Sequence, residues 1–186
     1  MGQSEHTYDN ITNALVDAVP EDDALDALTS FAGLLVLDAL IGNTERHHEN
    51  WALLRVFEGD DYTIQLAPSY DHASSLGREL TNEARDRILR EGSIEKYVRK
   101  GRGAIFGQSQ GKHADNPLEL VRWASAREPE WFHPWLERVR NLGENDIVKP
   151  LEKMPHQVLD RVAHDFCAAF LRFTLNELIL HRWIFG

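Results

Sequence analysis

A chain of 186 residues with 42% hydrophobic side chains is long enough for one domain with a real core, and its 27% charged residues are dispersed along the chain, which excludes global disorder. The 20 basic and 30 acidic residues leave a net charge of -10, a surface that repels phosphate backbones, so direct nucleic-acid binding is not expected. The single cysteine, Cys167, excludes an internal disulfide and fits a reducing cytoplasm; with a polar N-terminus and no segment nearing the roughly 20 apolar residues of a bilayer span, a cytoplasmic protein with no membrane partner is expected.

Residues 8–19 place Ile11, Leu15 and Val19 on one helical face, and Pro20 ends the run. The acids Glu21, Asp22 and Asp23 suit the start of the next helix, over 24–41. That helix is apolar almost all round after Phe31 and should be buried and central, with Gly42-Asn43 as its C-terminal stop. Strands are predicted over 51–57 and 62–67, joined by a turn at Glu58-Gly59-Asp60-Asp61, with Pro68 ending the second.

The remainder reads as helical. Thr81 caps a helix over 82–90, Ser93 one over 94–100, and Asn116-Pro117 opens one over 118–127. Further helices are expected over 134–141, 146–153 and 156–184. Residues 101–115, rich in Gly, Gln and other polar side chains, read as a flexible loop. The expected architecture is one domain over residues 1–186, mainly α, with one small β-hairpin.

The polar residues flanking that hairpin match the needs of phosphoryl transfer. Such a site requires a carboxylate to orient and deprotonate the attacking hydroxyl, an amide oxygen five residues later to bind Mg²⁺, and, beyond the following strands, an aspartate bridging metal and phosphates. Glu45 and Asn50 stand five apart, and Asp71 follows the hairpin. These are the hard oxygen ligands that Mg²⁺ takes together with water and phosphate.

The strings Leu40-Ile41-Gly42-Asn43-Thr44-Glu45-Arg46-His47-His48-Glu49-Asn50-Trp51 and Leu66-Ala67-Pro68-Ser69-Tyr70-Asp71-His72-Ala73-Ser74-Ser75-Leu76-Gly77 resemble the HipA-like family of bacterial serine/threonine kinases, many of them toxins of toxin–antitoxin pairs. The resemblance implies a kinase-like C-terminal lobe using ATP and Mg²⁺, with Asn50 and Asp71 as metal ligands, Glu45 in the catalytic-base position and His47 bracing the loop. The base position usually holds aspartate in that family; Glu45 puts the carboxylate one methylene farther out, about 1–1.5 Å. No Gly-rich loop and no lysine precede residue 24, the first lysine being Lys96, so the ATP-gripping lobe is expected to be absent from these residues and supplied by the full protein or by a partner. The implied partners are a protein substrate or an antitoxin-like protein. The alternative is a non-catalytic, pseudokinase-type module that binds or regulates such a partner.

Other features read as structural. His47, His48 and His72 lack the spacing of a transition-metal site. Gly107-Gln108-Ser109-Gln110-Gly111 matches a hydrolase pattern without the strand-turn-helix context that it needs. Residues 84–103 are locally basic and read as a solvated face, or as one that attracts phosphate or an acidic peptide near the site. Trp123, Trp131, Trp135 and Cys167 read as core.

Overall fold

The computed structural model describes residues 6–59, 61–107 and 113–180. Among them the chain forms helices α1 (Tyr8–Ala18), α2 (Ala24–Ile41), α3 (Asn82–Arg90), α4 (Ile94–Lys100), α5 (Pro117–Arg127), α6 (Pro129–Arg140), α7 (Glu144–Glu152) and α8 (Arg161–Leu180), and one hairpin, β1 (Leu53–Glu58) with β2 (Asp61–Leu66). The strands pair antiparallel from Leu53↔Leu66 to Glu58↔Asp61. This is the mainly helical architecture with one hairpin that the sequence predicts.

Helix α2 is the axle of the fold, packing on α1, α5, α6 and α8. Phe31, Ala32, Leu35, Val36 and Ala39 are all sealed from water, which accounts for a sequence apolar on every side. With the 3-10 turn before it, the stretch Glu21–Ile41 is long and apolar enough by composition to cross a bilayer, which corrects the expectation that no segment comes near that length. Here its apolar surface is used as the core of a helical domain.

Helix α2 ends on Gly42 at φ 66°, whose N–H bonds the Asp38 carbonyl. An added Cβ there would lie 2.3 Å from the Phe170 ring of α8, so Gly42 meets both a left-handed backbone and a close helix approach. The chain after α2 is then clipped to the chain after β2: Thr44 N–H donates to Ser74 O (3.3 Å) and Leu76 N–H to Ile41 O (2.9 Å). Helix α8 fastens the same junction through the Thr174 hydroxyl, which donates to Leu40 O at 2.6 Å.

Several local expectations are corrected. Helix α6 begins at Pro129 and carries Pro134 inside it, where the missing N–H removes one helical bond without breaking the helix. Helix α7 likewise tolerates Pro150. Helix α8 starts at Arg161 rather than 156, behind Asp160, whose carboxylate accepts from Ala163 N–H at 3.0 Å. Thr81 caps α3 as expected, but the Ser93 hydroxyl donates back to Ile88 O instead of capping α4. The described ends of the 101–115 stretch are anchored. Thr7 and Phe106 form a parallel bridge, and Asp115 accepts from Gly103 N–H through its carbonyl (2.8 Å) and from Gly107 N–H through its carboxylate (2.6 Å). Most of the Gly107–Gly111 motif, Ser109 included, lies outside the described residues.

Candidate active-site loop

The loop between α2 and β1 is organised by a residue pair that the sequence reading passed over. Arg46 is 2% exposed and donates Nε to Asp38 Oδ2 (2.8 Å) and Nη2 to Asp38 Oδ1 (2.7 Å). Asn43 Nδ2 completes the set on Asp38 Oδ1 at 2.9 Å, and Asn43 Oδ1 accepts from the Glu45 N–H at 3.1 Å. The remaining Arg46 donors reach the two flanks of the hairpin: Nη1 to Asn50 O (2.5 Å) and Tyr70 O (3.3 Å), and Nη2 to His72 Nδ1 (3.3 Å). One buried guanidinium therefore ties the backbone at Asn50 to the residues on either side of Asp71. The signal was present in the sequence: Asp38 is the one acid in an otherwise apolar stretch, eight positions before an arginine.

Asn50 is 4% exposed. Its Nδ2 donates to Glu45 O at 2.8 Å, which fixes the amide orientation and leaves Oδ1 with no donor among the described residues. His47 lies beside it, with Nε2 3.3 Å from Asn50 Nδ2 and Nδ1 3.4 Å from the Glu49 N–H. A neutral imidazole accepts at one nitrogen only, so one of these contacts is a hydrogen bond at a time. Tyr70 closes the outside by donating its hydroxyl to Glu49 O at 2.9 Å.

Glu45 and Asp71 are exposed, and neither carboxylate has a partner among the described residues. Asp71 sits at φ 51°, a left-handed conformation that aspartate tolerates better than most residues. Its backbone is held by its neighbours' bonds to Arg46 rather than by its own side chain. Strained backbone of this kind tends to persist where surrounding structure imposes it, often at functional sites.

Among the described residues no group of three or more His, Cys, Asp or Glu side chains is arranged to hold a metal ion. Asn50 offers an amide oxygen on one flank of the hairpin and Asp71 a carboxylate on the other. Those are hard donors that suit Mg²⁺ when phosphate and water complete the shell, and they do not suit a transition metal. His48 packs its ring near His47 (6.0 Å) and near His6 (6.2 Å), and the His6 Nε2–H donates to Arg46 O at 2.9 Å. Burial holds His6 below the usual imidazole range, and the nearby His48 and His47 add to that effect, against the bond to Arg46 O.

The basic stretch does not form one face. Arg85 turns inward to Asn82 and the Gly77 carbonyl, while Arg90, Arg99 and Arg102 pair with Asp86, Glu95 with Glu177, and Glu119. Trp135 donates Nε1–H to Thr29 O (2.6 Å), Trp123 packs edge-on against Tyr8, and Trp131 packs on the core. Cys167 is buried, and burial raises its thiol pKa, as befits a core residue.

No protein-family model matches this chain, and no curated protein matches it in sequence. Its fold is similar to the crystal structure of a Helicobacter pylori proinflammatory kinase, CtkA, with a TM-score of 0.72 and 16% sequence identity, over 94% of this chain and 60% of that one. The chain thus has a kinase-like fold and spans about three-fifths of the kinase that it resembles.

Proposed function

We propose that this chain is the metal-holding, catalytic-loop lobe of a HipA-like serine/threonine protein kinase, with Asn50 and Asp71 as Mg²⁺ ligands and Glu45 as the group that orients and deprotonates the substrate hydroxyl. The reading is supported most by Asn50. Its buried amide is locked to the Glu45 carbonyl with Oδ1 left over, and the same arginine that holds its backbone also holds the two neighbours of Asp71. A carboxylate, an amide oxygen and an aspartate are the protein groups that phosphoryl transfer needs at this side of the nucleotide.

In this reading MgATP supplies the phosphoryl group, and a lobe elsewhere in the full protein or on a partner grips its phosphates. Glu45 accepts the hydroxyl proton as the substrate oxygen bonds to the γ-phosphorus and the bond to the β-phosphate oxygen breaks, releasing ADP. Asn50 and Asp71 would hold a Mg²⁺ ion, which would supply positive charge to offset that on the phosphate oxygens, and positioning and charge stabilisation of this kind carry most of the rate. The substrate class is a protein serine or threonine, with an antitoxin-like protein as partner in a toxin–antitoxin setting.

A second reading, a pseudokinase-type binding module, is favoured by Glu45 itself. Its longer side chain displaces the carboxylate from the usual aspartate position, and a displacement of about 1 Å can cost roughly 100-fold in rate. Transfer of labelled phosphate from ATP by the full-length protein, alone and with its genomic neighbours, tests both. Transfer lost in Asn50→Ala and Asp71→Ala supports the kinase, and transfer unchanged in those variants removes the site assignment.

A further inference from the structure

Next to the same loop, which contributes Thr44 to its lining, lies a cavity of about 440 Å³, bounded by the end of α2, residues 74–80, α3, α4, the start of α5 and Phe170 of α8. That volume falls within the roughly 300–1,000 Å³ usual for small-molecule sites. Its walls are apolar, formed chiefly by Leu80, Ile88, Val98, Leu118 and Phe170. Its charged members, Glu79, Arg87 and Lys100, belong to exposed residues and therefore mark the mouth.

The three mouth charges are not equivalent. Glu79 accepts a hydrogen bond from the Tyr97 hydroxyl. Arg87 and Lys100 form no ion pair or hydrogen bond through their side chains among the described residues, although Arg85, Arg90, Arg99 and Arg102 around them all find partners. Two uncommitted cations over an apolar pocket complement a molecule with an apolar body and an anionic end.

We propose that this cavity binds a small amphipathic anion, its apolar part between α3, α4 and Phe170 and its carboxylate, sulfonate or phosphate between Arg87 and Lys100. The proposal does not depend on the kinase reading. Thr44 and Ser74, which also line the cavity, are the pair whose backbone bond clips the Glu45 loop to the Asp71 segment, so an occupant can touch both halves of that clip. The site is thereby placed to sense or set the spacing of the two segments.

The test is a pair of fluorescence titrations on the intact chain, with anilinonaphthalene sulfonate and with its uncharged parent, phenylnaphthylamine. The sulfonate is expected to bind one site and to shift the amide resonances of Thr44 and Ser74. The double variant Arg87→Gln/Lys100→Gln should weaken the sulfonate about tenfold, as loss of a charge-assisted contact does, and leave the neutral probe unchanged. Ala84→Trp, which fills the cavity from α3, should abolish both. Sulfonate affinity unchanged in the double glutamine variant overturns the proposal, and because both substitutions are on exposed side chains that result is readable even if Ala84→Trp fails to fold. Equal loss of both probes in the glutamine variant would also contradict the anion preference.

Discussion

Arg46 and Asp38 meet in two parallel hydrogen bonds of 2.8 and 2.7 Å, with both side chains almost sealed from water at the end of α2. The pair joins the core helix to the candidate site loop, because the same guanidinium also bonds Asn50 O, Tyr70 O and His72. A charge in such a place is tolerated only while fully partnered. Asp38→Asn and Arg46→Met are therefore each expected to lower stability by about 3–5 kcal/mol in urea unfolding. Asp38→Leu/Arg46→Met should recover part of that loss yet leave the loop unfixed, with broadened resonances from 43 to 50. Full stability in either single variant would show that the pair does not hold the junction.

The close approach of α8 to the end of α2 rests on Gly42. A methyl group there combines a φ of 66° with a Cβ 2.3 Å from Phe170 Cζ. Gly42→Ala should cost about 2–4 kcal/mol, the sum of left-handed strain and overpacking. Adding Phe170→Leu should return the packing part only. Thermal unfolding of the three variants measures this.

His6 makes attachment of the N-terminal arm dependent on pH. Burial, assisted by His48 and His47, depresses the folded pKa below the ordinary value of 6.5, so the unfolded or detached arm binds protons more readily. The contribution is complete above pH 6.5 and is lost as pH falls below it toward the depressed folded value. The amides of Tyr8 and Phe106, which bond across the arm, should lose exchange protection as pH drops from 7.5 to 5.5, relative to a His6→Gln chain. Equal protection profiles in the two proteins would contradict this.

Glu45 tests the choice between catalyst and binding module. With the full-length protein, Glu45→Gln should lower phosphoryl transfer about 100-fold or more, the usual size of a lost general base. Glu45→Asp should raise transfer, by up to roughly 100-fold if the extra methylene misplaces the carboxylate. Transfer that is absent in the natural protein and in Glu45→Asp alike favours the pseudokinase-type reading.

Much of this fold is legible in the residues. The all-round apolar pattern of α2, the Gly42 stop, the hairpin around Gly59 and the cap at Thr81 each follow from local chemistry, and α3 and α4 occupy the predicted spans. Where the reading failed, the deciding interaction was non-local or tolerant. Leu159 continues the apolar period of α8 but sits before it, because Asp160 is the residue that bonds a free helix N–H. Pro129 and Pro134 share one helix, since a single missing N–H is affordable on a helix whose Phe132 and Leu136 are buried. In the proposed site, Glu45, Asn50 and Asp71 are candidates by type and spacing. Arg46 and Asp38 do not, because a buried ion pair is recognisable only when the two residues are seen to meet.

The proposed sharing of one divalent ion by Asn50 and Asp71 is tested most directly by nuclear magnetic resonance with Mn²⁺ in place of Mg²⁺. At substoichiometric Mn²⁺ with ATP present, the Asn50 side-chain amide and the backbone amides of residues 70–72 should broaden together. Excess Mg²⁺ should reverse the effect, and Asp71→Ala should remove it at Asn50. Broadening that spares Asn50, or that persists there unchanged in Asp71→Ala, would contradict the claim.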